Sequence, residues 1–375
     1  MGGATIGVPV EIKNHEGRVP LTPAAVHTLR TRGHRVVLQA GAGERAGFPD
    51  AEYELAGARI TGDASHVWGA DLVVKVKEPQ PAEYTYLRKD LTLIAFLHLA
   101  AESDLTAALL GSGIRAYAFE TLTDSQGGLP LLAPMSEIAG RAAPILGAGL
   151  LSSAGGGSGT LLGGAAGVPP ARVVVVGLGV AGTMAARGCR GLDAHVTGID
   201  IDLHRLFDRK CSGAVDATQA SEPSLVGERV GEADLVIGAA LVAGARAPTV
   251  VSEDMVASMR PGSAIVDLAI DQGGCVGTAR PTSLTEPSYV AHGVMHYCVT
   301  NVPGQFPRTA SAALSAAVAP TVLRLADDVC SGRAGTAEES PELAGARNVD
   351  QGAIVHPAVA AAFPDLSRRT PGDET

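Results

Sequence analysis

The sequence has 375 residues, enough for two domains at roughly 150 residues each, and its 29 Lys and Arg against 39 Asp and Glu leave a net charge of -10. That balance excludes a binder of nucleic-acid phosphates and an anionic membrane surface as partner. With 46% apolar residues the chain is no disordered polymer, and with only 3% aromatics its core must come from Ala, Val, Leu and Ile.

TIGVPVEI (5–12) reads as a strand. No basic region precedes an apolar one in MGGATIGVPVEI, so no secretory signal is read there. Thr22 as N-cap and Pro23 at the first position open a helix to Arg32, which Gly33 stops. Strands follow at HRVVLQAG (34–41), DLVVKVK (71–77) and TLIAFLHL (92–99), then a helix over 103–110 and a strand IRAYAFE (114–120). A long Ala/Gly helix runs from Ser136 to Ser152, and AGGGSG (154–159) reads as a flexible loop. RVVVVG (172–177) is a β-branched run suited to a strand buried on both faces. A helix over 180–190 and strand AHVTGID (194–200) complete a βαβ unit. ADLVIGAA (233–240), SAIVDLA (263–269) and VMHYCVT (294–300) add strands, and a last long helix, Ala310 to Asp327, is interrupted by Pro320. The tail TPGDET reads as frayed.

Strands separated by helices imply parallel pairing with right-handed crossovers, an α/β fold. No apolar run reaches the length of a membrane span; 133–151 comes closest, broken by Glu137 and Arg141. The five cysteines are scattered, without Cys-x-x-Cys, as expected of reduced thiols in a cytosolic protein. No His or Cys spacing suggests a metal site.

The sharpest signal is Gly177-Leu-Gly179-Val-Ala-Gly182, which follows a buried strand and opens a helix. A second strand then ends in Asp200, 200 − 177 = 23 residues past the first glycine. This is the dinucleotide fingerprint in context. Gly177 makes the turn, Gly179 lets a pyrophosphate approach the backbone, and Gly182 lets helix pack on strand. The helix N-terminus attracts the negative charge. Asp200 is placed to accept from ribose hydroxyls, and with Asp202 it repels a 2′-phosphate, favouring NAD over NADP. Arg205 runs against that preference; a solvated helix charge is its plainer reading.

Three further segments carry chemistry. In KNHEGRVPLTP (13–23), Arg18 either forks onto a carboxylate or is a surface charge. KVKEP (75–79) and FLHLA (96–100) place Lys77 and His98 at strand ends, where open α/β sheets bind ligands. A lone histidine in such an apolar run is more often a core residue. In IVDLAIDQGGC (265–275), Asp271 either faces the nicotinamide or caps turn amides.

Taken together, NHEGRVPLTP, KVKEP, FLHLA, LPLLAPMSE, the glycine motif, DQGGC and HYCVTNVPG resemble the alanine dehydrogenases over nearly the whole chain, as far as HPAVAAAF (356–363). The resemblance implies two Rossmann-like doubly wound domains with a cleft between them. A substrate domain (1–131 and 305–375) holds an inserted NAD-binding domain (132–304). It implies NAD as cofactor and reversible oxidative deamination of L-alanine to pyruvate and ammonium. Arg18 would bind the substrate carboxylate, Lys77 the carboxylate or keto oxygen. His98 would be the acid/base, and Asp271 would hold the attacking water. Gln272 and Asn301 would contact cofactor or substrate, and Met135 and Ser136 would lie near the pyrophosphate and nicotinamide. A cytoplasmic homohexamer is implied as well. The sequence departs from the family at Phe119 (usually Tyr), at Val302 (usually Met) and in RTASAAL (308–314), poorer in hydroxyls than usual. Those departures keep two alternatives open: a reductive aminase for another small 2-oxo acid, or a non-catalytic NAD-binding subunit like that of transhydrogenase.

Overall fold

The computed structural model describes residues 2–241 and 247–364; the TPGDET tail lies outside them. The chain forms two compact units, Met1–Met135 with Gly304–Thr375, and Ser136–Pro303.

The first unit opens with β1 (Thr5–Val8), α1 (Pro23–Thr31), β2 (Arg35–Gln39), α2 (Asp50–Leu55), β3 (Arg59–Thr61), α3 (Ala64–Trp68) and β4 (Leu72–Lys77). It continues with β5 (Thr92–Phe96), α4 (Ser103–Ser112) and β6 (Arg115–Ala118). The first strand stops at Val8, earlier than TIGVPVEI suggested. Pro9 has no N–H for the ladder, and the Val10 N–H goes to the Gln39 side chain. Thr22 stands at the N-cap of α1 without a side-chain cap bond. Its hydroxyl lies 3.1 Å from that of Ser315 instead.

α5 (Ala133–Leu151) starts at the end of the first unit's opening segment and leads into the second, where it is followed by β7 (Arg172–Val176), α6 (Val180–Gly191), β8 (His195–Asp200), α7 (Leu203–Cys211), β9 (Ala217–Ala220) and α8 (Pro223–Glu232). Then come β10 (Leu235–Gly238), α9 (Glu253–Ala257), β11 (Ala264–Asp267), β12 (Ser288–Ala291) and β13 (Val294–Tyr297). Among the described residues the sheet order is β12-β13-β11-β10-β7-β8-β9. All pairs are parallel except the β12–β13 hairpin, which the parallel reading of the sequence omits. The valines of β7 alternate between two cores. Val173 and Val175 pack with Ala185, Ala186 and Cys189 of α6 on one face. Val174 and Val176 pack with Val226 and Val230 of α8 on the other. A strand covered on both faces needs an unbroken apolar run, which is why RVVVV has no polar residue after Arg172.

The chain then returns to the first unit through α10 (Pro307–Ser331), α11 (Pro341–Ala346), β14 (Arg347–Asp350), β15 (Ala353–Ile354) and α12 (Pro357–Ala362). That sheet runs β15-β14-β6-β5-β4-β1-β2-β3. Its first six strands pair in parallel, and β14 and β15 extend it antiparallel. Pro320 does not interrupt α10. Leu314, Val318, Val322 and Leu325 are buried on one stripe that continues past it, while Pro320 itself is exposed. Burial of that stripe outweighs the lost backbone bond. By length and composition α10, rather than 133–151, is apolar enough to cross a membrane, but half of its apolar window is buried inside the protein.

Both sheets share the strand order 3-2-1-4-5-6 of doubly wound folds. In such a sheet the order reverses beside the first strand, and the loops leaving the carboxyl ends there form a crevice. The reversal lies between β1 and β4 in the first unit and between β7 and β10 in the second.

Candidate active site

In the first unit the candidate side chains leave the sheet at those carboxyl ends. Arg18 follows β1 and is buried. Glu16, fully buried two residues earlier, grips its guanidinium from Nε (2.7 Å) and Nη2, and also accepts the Arg18 N–H at 3.0 Å. Arg18 Nη1 points to the Met135 sulfur at 3.2 Å. Arg18 is therefore no surface charge, and Met135 sits on this guanidinium. The Val19 and Thr22 N–H groups are satisfied by the hydroxyls of Ser311 and Ser315, each at 2.9 Å. The hydroxyls that remain in this part of α10 thus fasten the loop carrying Arg18.

Lys77, the last residue of β4, is buried and pairs in register with Phe96 of β5. Glu11 bridges β1's extension to this strand end, accepting N–H from Val76 (2.6 Å) and Lys77 (3.4 Å) and facing Lys75 at 3.1 Å. Burial pushes the Glu11 carboxyl above the usual carboxylate range, against the pull of Lys75. Lys75 also donates to Glu83 at 2.9 Å, so this fully buried lysine is structural.

His98 does not continue β5. It stands in the left-handed region at φ +48. Both N–H groups that would extend the strand, of Leu97 and His98, are taken by Glu120. Its ring lies parallel to that of Phe96, centroids 6.1 Å apart. His98 is half-buried and at the open end of the strand, not packed into the core.

In the second unit the three glycines of the fingerprint do different things. Gly177 has φ +87 and its N–H donates to Ile199. A Cβ on Gly182 would run into the Gly177 carbonyl, so only glycine lets α6 approach the strand end so closely. Around Gly179 a Cβ would meet nothing within 4 Å: the first turn of α6 opens onto free space. An open backbone at a helix N-terminus fits a pyrophosphate. Asp200 is buried; it accepts N–H from Leu178 at 2.7 Å and from Asp202 at 3.0 Å, so it also locks the glycine turn to β8. Arg205 is a partly exposed charge, as a solvated helix residue would be, but it is also paired: its Nη1 donates to both Asp200 oxygens at 3.2 and 3.1 Å, and it lies 3.7 Å from Asp202.

Asp271 and Gln272 lie in a single turn, Ile270–Gln272, after β11. Asp271 is exposed, and its oxygens accept the Asn301 N–H at 3.1 and 3.3 Å. Asn301 is left-handed at φ +62. The carboxylate that caps the turn is Asp267 instead, accepting from Ala269, Cys275 and Val276 at 2.9, 2.9 and 3.1 Å. Burial raises its carboxyl above the usual range despite those donors. Gln272 accepts the Ala247 N–H through its carbonyl at 2.8 Å. Ser136 is half-buried in the first turns of α5.

Among the candidates, then, contacts join Arg18 to Met135, Asp200 to Arg205, and Asp271 to Asn301, and strand register sets Lys77 beside β5. The sequence reading missed the carboxylates that hold these residues: Glu16, Glu11 and Glu120. Glu16 was findable, since it stands next to Arg18 in a charged strand-end segment. Glu11 and Glu120 needed the pairing of strands. The departures at Phe119 and Val302 lie in cores: Phe119 is fully buried and meets Phe96 edge-on, and Val302 packs among the core residues of the second unit. Among the described residues no three His, Cys, Asp or Glu side chains group to hold a metal ion.

Comparison with known proteins agrees with this architecture. Residues 7–139 match "Alanine dehydrogenase/PNT, N-terminal domain" and residues 143–357 match "Alanine dehydrogenase/PNT, C-terminal domain". The chain is 50% identical over 361 residues to an alanine dehydrogenase of Halomonas elongata, covering 96% of each. It is 47% identical to that of Mycobacterium tuberculosis, covering 95% of each. A solved L-alanine dehydrogenase superposes with TM-score 0.89 at 46% identity, over 96% of this chain and 99% of that one. A transhydrogenase from Sinorhizobium meliloti gives 0.79 at 29%, over 94% and 99%. With both halves matched and close relatives aligned end to end, the chain belongs to the alanine dehydrogenase/PNT family.

Proposed function

We propose that this protein is an NAD-dependent alanine dehydrogenase: L-alanine, NAD⁺ and water are converted reversibly to pyruvate, ammonium, NADH and a proton. The observation that carries the reading is the pairing of a complete dinucleotide turn in one unit with a buried cation and a histidine at the strand ends of the other. NAD when bound supplies a hydride acceptor at the nicotinamide; Gly177, Gly179, Gly182, Asp200 and Arg205, with Ser136 and Gln272, are the residues that would hold it.

The chain's own residues do the rest. Alanine has one permanent handle, its carboxylate. Arg18, prealigned by Glu16, binds it, with Lys77 on the carboxylate or keto oxygen. His98 takes the amine or water proton in deamination and returns it in amination, a task suited to an imidazole as general acid and base. Asp271 orients the water, and Asn301, whose backbone it holds, contacts substrate or cofactor.

The two departures from the family support alanine over another oxo acid, because both side chains are spent on core packing. A nucleotide-binding subunit without chemistry of its own would need neither Arg18 nor His98. A screen of 2-oxo acids with ammonium, followed by NADH absorbance, tests all three readings. Pyruvate is expected to be the best substrate; a larger oxo acid ahead of it supports the reductive aminase, and no turnover with any supports the subunit. We place the enzyme in the cytoplasm as a homohexamer, in keeping with cysteines that are all free. Light scattering that returns a monomer removes the assembly claim.

A further inference from the structure

Strands β5 and β6 pair in parallel with Ala95 opposite Ala118. Two residues beyond each, at the same carboxyl edge, stand Leu97 and Glu120. The Glu120 oxygens accept the Leu97 N–H at 3.2 and 3.3 Å, and one accepts the His98 N–H at 2.6 Å. Charge-assisted bonds of this kind are the strong ones. They end the strand and turn His98 into its left-handed conformation, which a non-glycine residue keeps only where its surroundings impose it. The turn Phe119–Thr121 that carries Glu120 is itself fastened: Thr121 donates to the Asn348 side chain at 2.9 Å. Phe119 in the same turn meets Phe96 edge-on at 5.2 Å, and Phe96 lies parallel to the His98 ring.

We propose that Glu120 is the positioning residue of the acid/base histidine: it acts through the His98 backbone and fixes where the imidazole stands. This rests on the proposed role of His98. Glu120 need touch neither substrate nor cofactor.

The test uses E120A, E120Q, H98A and the double variant E120A/H98A of the full chain. Expected for E120A is a loss in kcat of roughly tenfold to a hundredfold, the cost of a misplaced catalytic group, with KM for pyruvate and NADH little changed. E120Q keeps one acceptor oxygen and should recover part of that loss. In the H98A background, E120A should cost nothing further, because the two act as a unit. Amide hydrogen exchange at Leu97 and His98 should speed up by roughly tenfold or more in E120A while the strand interior stays protected. A kcat within twofold of wild type for both variants, or losses that add fully to that of H98A, overturns the proposal. Unchanged exchange overturns the hold on His98 by itself. A wild type inert toward every oxo acid instead overturns the functional reading and with it the catalytic consequence, while the exchange result still decides whether Glu120 holds His98.

Discussion

The two units share a strand order and solve the same local problem in opposite ways. Each places a polar residue in left-handed conformation past the carboxyl end of a strand, its N–H held by a carboxylate: His98, just after β5, by Glu120 in the first, and Asn301, beyond β13, by Asp271 in the second. In the first unit the chemical candidate is the residue being held, and the carboxylate stays behind it. In the second the carboxylate is itself the chemical candidate, and it is exposed. Division of labour in one unit, and two duties on one side chain in the other, means equivalent substitutions will not have equivalent effects.

The largest effects should fall on the chemical residues. His98→Ala and Asp271→Ala should each reduce kcat by ~10²-fold or more, as for general acid–base groups. Asp271→Asn separates the two duties, since its amide oxygen still accepts the Asn301 N–H; turnover near wild type would reduce Asp271 to a latch and break the comparison. Next comes Arg18→Ala, which should cost several kcal/mol in kcat/KM for pyruvate, the range for leaving a buried charge unpaired, here the substrate carboxylate. NAD affinity measured by calorimetry should not follow, whereas Asp200→Ala should weaken NAD and narrow its advantage over NADP. Substrate loss in the second variant, or NAD loss in the first, would show that the units do not divide binding as described.

Smaller effects concern stability. Gly182→Ala should destabilise by about 1–3 kcal/mol through overpacking against the Gly177 carbonyl, lowering Tm with and without NAD. Gly179→Ala meets nothing and should leave the ligand-free Tm alone while reducing the rise on adding NAD. Smallest is a pH effect. Burial pushes the imidazoles of His296 in the second unit and His356 in the first below the usual range. Each folded form binds protons less readily than the unfolded chain, so stability is full above about pH 6.5 and declines as pH falls through that value. His296→Gln and His356→Gln should each flatten the profile of Tm against pH below that value. A profile unchanged in both variants would show that neither histidine is coupled to folding.

Most of the fold could be read from the chain because its signals are local. RVVVV and LVVKVK announce strands covered on both faces, and the glycine motif names its own turn. The sequence also directs attention to Arg18, Lys77, His98 and Asp271, since polar residues at the ends of apolar runs are conspicuous. What stayed hidden is what depends on pairing. Nothing near FLHLA says that its last N–H groups leave the ladder for Glu120, more than twenty residues away. Pro320 reads as a break because a single residue cannot report that Leu314, Val318, Val322 and Leu325 hold the helix on both sides of it. The short antiparallel strands β12, β14 and β15 are too brief for periodicity to register.

The route of the chain also bears on how the protein is made. The second unit is continuous in sequence, so its sheet can close as soon as residues 136–303 have emerged from the ribosome. The first cannot: β6 waits for β14, and the amides of Val19 and Thr22 wait for Ser311 and Ser315, nearly three hundred residues later. Until then the nascent chain exposes an open sheet edge beside β6, the kind of surface that recruits chaperones or aggregates. A ribosome-stalled chain just long enough to bring residue 303 out of the exit tunnel should therefore bind NAD-type ligands before it has any stable place for an amino acid.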